Sequence, residues 1–139
     1  MSTGLPEREP REALYAYLRA HPDVQSAVGA NVYQRRVPPG ATKPLLVIFP
    51  PISRVPVRDL AGVAYWEARL QVTAMAGTQP EAEAAAKAVM AAAEGFRGVM
   101  AGAIYVVDTR VDSDNQIDQE DIGEVHHHVD VLIRYKHVE

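Results

Sequence analysis

AYWEARLQVTAMAGTQPEAEAAAKAVMAAAEG, residues 64–95, changes its period once, and that change decides the fold class. Up to residue 76 it alternates. Trp66, Ala68, Leu70, Val72 and Ala74 fall on one side, and Tyr65, Glu67, Arg69, Gln71 and Thr73 on the other. Period two describes a strand with one buried and one wet face, the pattern of an antiparallel sheet. After Gly77 the spacing turns helical. Thr78 can cap the start, Glu81 completes a capping box, and Pro80 is tolerated in the first turn. Ala82, Ala85, Ala86, Val89, Met90 and Ala93 form the buried stripe, and Gly95 stops the helix. At about 1.5 Å per residue the helix is roughly 24 Å long, enough to cross a small sheet, and its alanines let it lie close.

Toward the N-terminus, Pro10 followed by REALYAYLRAH predicts a first helix, with Ala13, Leu14, Tyr17, Leu18 and His21 on one stripe. Pro22 ends it, because a residue before proline avoids the α region. PDVQSAVG is a short second helix with Val24 and Val28 on one side and Gly29 as its stop. NVYQRRV (31–37) has strand content. LLVIF (45–49) is apolar throughout and lies between prolines, so it reads as a strand buried on both faces. ISRVPVRDLAG (52–62) has no clear period and holds Pro56, which predicts a long loop.

Toward the C-terminus, AIYVVDTRVD (103–112) predicts a strand, DSDNQIDQEDIG (112–123) an acidic loop, and EVHHHVDVLIRYKH (124–137) a last strand. The expected fold is α+β in the order αα-βββ-α-ββ. Its mainly antiparallel sheet of four to five strands carries the long helix and the N-terminal helix on one face. Residues 1–9 are expected to be a flexible arm and 10–139 one domain, which suits a chain of 139 residues.

Composition narrows the function. The net charge is −4 and the pI about 5.7, which argues against a protein that lives on nucleic acid. Without cysteine there is no disulfide framework, thiol nucleophile or Cys-type zinc site. No stretch approaches the roughly 18 apolar residues of a membrane span, so no membrane partner is expected. The polar, proline-bearing start MSTGLPEREPRE is neither a signal nor a transit peptide.

The triplet His126–His128 is the obvious chemical candidate. Strand alternation puts His126 and His128 on one face with Asp130, and His127 on the other with Val125, Val129, Val131 and Ile133. Three consecutive histidines therefore cannot ligate one ion from a regular strand, and no ligand spacing supports a metal site. DSDNQIDQED fails the calcium-loop pattern: from Asp112, the fifth, sixth and twelfth positions are Gln116, Ile117 and Gly123. No nucleophile motif or glycine-rich phosphate loop is present. No catalytic residue, metal or cofactor is expected.

Two charged groups remain. Arg35 and Arg36, with Arg54 and Arg58 and with Lys43 nearby, form a basic set. Asp112, Asp114, Asp118, Glu120 and Asp121 form an acidic one. The first reading of either is a solvated face. The second is an assembly interface, since a protein with a basic and an acidic pole can join head to tail in a ring. His126 and His128 join these candidates as a pH-sensitive edge of an assembly surface.

The whole pattern resembles the tail-terminator, or tail-completion, proteins of long-tailed bacteriophages and gene transfer agents. The resemblance rests on the N-terminal helix, Gly29 to Tyr33, the proline-flanked strand from Pro44 to Pro50, the strand Trp66 to Met75 before the long helix, and the final strand after a polar loop, residues 112–135. It covers about residues 10–137. The proline-rich stretch 50–56 and the triple histidine depart from it. The resemblance implies a structural virion protein without catalytic residues. It would form a homohexameric ring on the head-proximal end of the tail tube, ending tube polymerisation and offering a surface to the neck. Its partners would be copies of itself, the major tail tube protein, the head–tail connector or neck protein, and DNA crossing the lumen without sequence-specific binding. It would reside in the virion tail, and in the host cytoplasm during assembly. The alternatives are a stopper-type neck protein and a small metal-binding module using His126, His128 and Asp130.

Overall fold

The computed structural model describes residues 8–60, 62–102, 104–119 and 124–137. The elements run α1 (Arg8–Ala20), α2 (Pro22–Val28), β1 (Val32–Gln34), β2 (Leu45–Ile48), β3 (Ser53–Asp59), β4 (Gly62–Ala76), α3 (Gln79–Ala93), β5 (Gly98–Met100), β6 (Ile104–Gln119) and β7 (Glu124–His137). The α+β expectation holds, but among the described residues the sheet has seven strands, not four or five. Its order is β1-β2-β4-β7-β6-β5, with β3 also paired to β4. All pairings are antiparallel except that of β1 with β2.

The period switch at residue 77 is where the sequence places it. Thr78 caps α3 with its hydroxyl accepting from the Glu81 N–H at 3.4 Å, and Pro80 sits in the first turn. Gly95 follows the C-cap with φ 78°, a conformation glycine adopts without a Cβ penalty. Ala82, Ala85, Ala86, Val89 and Ala93 are buried as expected. Ala92 is buried too, while Met90 is only partly so and packs against the core rim.

The core lies between the helices and one face of the sheet. Ala68, Leu70, Val72 and Ala74 of β4 and Val129, Val131, Ile133 and Tyr135 of β7 meet α3 and the apolar stripe Leu14, Leu18, Val24 and Val28. α1 begins at Arg8, inside the stretch expected to be an arm. His21 lies between the helices and is not part of the α1 stripe; its Nδ1 accepts from the Asp23 N–H at 3.2 Å and caps α2. β2 is buried along its whole length, as its run of apolar residues predicts.

Two expected loops are strands. Residues 53–59 form β3, whose register against β4 runs from Ser53 opposite Arg69 to Asp59 opposite Gly62. β2 pairs with the next part of the same edge, residues 72–75 of β4. Between them the Phe49 N–H donates to Gln71 O and the Ile52 N–H to Arg69 O. The double proline 50–51 therefore kinks one long arm opposite β4 and does not open a loop. Pro56 is tolerated because β3 is an edge strand, where a missing N–H can face outward. On the other side, the expected acidic loop is mostly strand: β6 continues to Gln119 opposite Glu124. Two bulges, between Val106 and Asp108 and between Val111 and Ser113, keep this sixteen-residue strand in register with β7.

Candidate assembly surface

The helices cover one face of the sheet; the other carries β4 residues Tyr65, Glu67, Arg69, Gln71, Thr73 and Met75 beside β7 residues His126, His128, Asp130, Leu132, Arg134 and Lys136. Alternation sends every second side chain here. Charge on this face is cross-paired. Arg134 Nε donates to Glu67 at 2.9 Å. Arg69 bonds Asp112 and lies 3.6 Å from Asp130. The second bulge makes this possible, because it turns Asp112 and Ser113 together toward the same face, where the Ser113 hydroxyl donates to Asp130 at 3.3 Å. The Asp112 hydrogen bond, with the Asp112, Asp130 and Glu67 charges, holds the Arg69 pKa above its ordinary value.

The histidines divide as strand geometry requires. His126 and His128 lie on the helix-free face, their rings 6.4 Å apart. His128 Nδ1 is 2.8 Å from Thr73 Oγ1. Burial, and then the neighbouring His126, hold the His128 pKa below its ordinary value. His126 Nε2 lies 3.6 Å from Glu124, which also binds Lys43 at 2.8 Å. The Lys43 hydrogen bond is the main reason that the Glu124 carboxyl titrates below its usual range. Lys43 belongs to the segment that lines a cavity with Leu45, Met75, Glu124 and His126, so this ion pair ties that segment to the sheet. His127 is buried on the helix side, deeper than a strand-start position suggests, and its Nε2 is 2.8 Å from Asp114. The carboxylate accepts, so Nε2 donates to it, and Nδ1 is buried without a partner among the described residues. Among the described residues no three His, Asp or Glu side chains converge as metal ligands would.

The two charged sets occupy opposite sides of the sheet. Arg35 and Arg36 leave the end of β1, where the Arg35 N–H donates to Ile48 O, and Arg54 and Arg58 lie on β3. Arg35, Arg36 and Arg58 are exposed. Arg54 stacks on Trp66, its Cζ 4.8 Å from the ring centroid, and its buried Nη1 has no partner among the described residues. Asp112 and Asp114 lie on β6, at the far side. The structure thus separates the acidic pair: Asp112 serves the helix-free face and Asp114 binds His127 behind it. Asp118 falls within β6, its side chain outside the described residues, as are Glu120 and Asp121. Large apolar side chains are also exposed here. Val55, Val99 and Tyr105 lie on the helix-free face by register, Ile52 at the β2–β3 kink and Leu60 at the tip of the β3–β4 hairpin. Sequence reasoning missed Arg69, Glu67 and Glu124, and the pairing of Lys43 with Glu124, since these partners are distant in the chain. The polar alternation of β4 was the one available signal, marking Glu67 and Arg69 as wet-face residues.

A family model described as tail completion protein gp17 matches residues 12–136. No curated protein sequence matches the chain. Among solved structures, a chain of the "virion of native gene transfer agent (GTA) particle" superposes with a TM-score of 0.76 at 22% identity, over 90% of this chain and 92% of that one. The likeness at that identity is one of fold.

Proposed function

The chain belongs to the tail completion protein gp17 family, and on that premise we propose that it caps the head-proximal end of a phage-type tail tube as a ring. There it ends tube polymerisation and presents the surface that joins the tail to the head and neck. The observation that carries this reading is the family match over residues 12–136. The fold shared with a gene transfer agent virion chain supports it. So does the architecture: helices take one face of the sheet and leave a charged, ordered second face and open strand edges for neighbours. In this reading the ring is a homohexamer whose partners are the major tail tube protein and the neck protein, and DNA crosses its lumen without base-specific contacts. Its place is the virion tail, with the host cytoplasm as the site of assembly. The chain works as a structural part and uses no cofactor.

The surface residues follow. Arg35, Arg36, Arg54 and Arg58 on one side, and Asp112, Asp114 and Asp118 on the other, with Glu120 and Asp121, set register between subunits. His126 and His128 stand on the helix-free face beside the segment fixed by Lys43.

Deleting the gene tests the reading. Electron micrographs of lysates should show tubes of uncontrolled length and filled heads without tails, and supplying the chain should restore particles. Tubes of normal length beside heads that leak DNA would instead indicate a stopper-type neck protein. Normal infectious particles would overturn both.

A further inference from the structure

Besides the three-residue end strands β1 and β5, the described sheet has two longer open stretches of strand edge. Among the described residues, β3 pairs with β4 alone, so its outer side carries free N–H and C=O groups from residue 53 to 59. β6 is covered by β5 only at Ile104, Tyr105 and Val106. The turn after α3 caps two more groups, where the Gly95 N–H donates to Thr109 O and the Val111 N–H to Glu94. From residue 112 to 119 the outer side of β6 has no strand beside it among the described residues. An uncovered edge of this length is a template for another strand.

The edges differ in charge. Arg54 and Arg58 lie on β3, with Arg35 and Arg36 beside its start, and Asp112 and Asp114 lie on the open part of β6. Arg110, also exposed, stands inside the stretch capped by the turn. Arg54 Nη1 is a buried donor without an acceptor among the described residues. Asp112 and Asp114 each spend one oxygen on a partner within the chain, and an ionised carboxylate accepts more than one hydrogen bond. Two β3 edges meeting would set arginine against arginine; β3 against β6 sets arginine against aspartate.

The edges are also offset along the strands. β3 runs beside residues 62–69 of β4, whereas Ser113 of β6 lies level with Gln71 through Asp130, and Gln119 lies beyond, opposite Glu124. A second copy joined edge to edge is therefore displaced along the strand direction. Closure of strands into a barrel requires such a stagger.

We propose that in the assembled ring the β3 edge of one copy pairs with the residue 112–119 edge of β6 in the next, giving one continuous sheet around the lumen. This rests on the ring reading above and adds the backbone contact that closes it. Pro56 lacks an N–H, so the ladder runs on either side of it.

Hydrogen exchange of the unaltered chain, free and in assembled particles, tests the pairing. Amides of both 53–59 and 112–119 should slow by roughly tenfold or more on assembly. Covalent capture is the second measurement, and the cysteine-free chain makes it clean. Arg58 and Ser113 are exposed, and on β3 and β6 they lie three strand spacings, or roughly 14 Å, apart within one chain, too far for an internal disulfide. β3 and β6 run in opposite directions, so the joined edges are antiparallel and residue 58 comes opposite the start of the 112–119 stretch. Particles carrying R58C and S113C together should give a ladder of disulfide-linked oligomers on oxidation. Dimers from V55C alone, near the middle of β3, would show like edges meeting and overturn the proposal. Assembled rings in which either segment exchanges as fast as in the free chain would overturn the edge pairing and leave the ring standing. A single copy per particle would overturn both.

Discussion

The two faces of this sheet are made by the same strands and obey different chemistry. On the helix side of β7, Val129, Val131, Ile133 and Tyr135 are buried in the core, with α3 packed on the strand. On the opposite side, one residue out of phase, His128, Asp130, Arg134 and Lys136 stand among charges from β4 and β6. A one-residue register slip would exchange the two sets. The helix face specifies the fold, and the other face is free to specify partners. His127 is the exception. It takes a helix-face position but binds Asp114, because it lies at the start of β7, near the sheet's end.

Substitution at neighbouring residues gives the sharpest test of that division. Ile133→Ala removes a fully buried side chain and should cost about 2–5 kcal/mol in urea unfolding. Arg134→Ala, one residue on, breaks a half-exposed pair with Glu67 and should cost under about 1 kcal/mol. Equal costs would erase the distinction between the faces. Thr78→Ala removes the cap that seats α3 on the helix face and should cost about 1 kcal/mol, visible as a lowered denaturant midpoint.

The helix-free face should show smaller effects of a different kind. Arg69→Ala should lower stability by about 1 kcal/mol or less, and the loss should shrink with added salt, since its partners are half exposed. A loss that ignores salt would mean the cluster acts through packing. The pH profile probes His128. Its folded-state pKa lies below the ordinary 6.5, so the neutral ring stabilises the fold. That contribution is complete above about 6.5 and declines as pH falls through 6.5 toward the folded-state value. His128→Gln should flatten this part of the profile. If the histidine pair also serves assembly, ring formation should change between about pH 5.5 and 7.5.

Residues 64–95 made the fold class legible because both of their periods are local. The split of the histidine triplet was legible for the same reason. β3 was not: Ser-Arg-Val-Pro-Val-Arg-Asp offers only Val55 and Val57 on one face with a proline between them, and it is a strand because β4 supplies a partner. Residues 112–119 were hidden by Asp, Ser and Asn, which disfavour strands in isolation. Here β7 supplies the ladder, and Arg69 and His127 receive two of the carboxylates. The two charge groups were visible in the sequence as candidates, and the placement of their described members on opposite sides of the sheet is set by long-range pairing. Lys43 and Glu124 meet only after folding.

The most direct test of the ring account is a reconstruction of the head–tail junction in particles containing this chain. The account predicts one closed ring of copies between the last tube ring and the neck, with its sheet lining the channel. Copies distributed along the tube, or a junction without the chain, would contradict it.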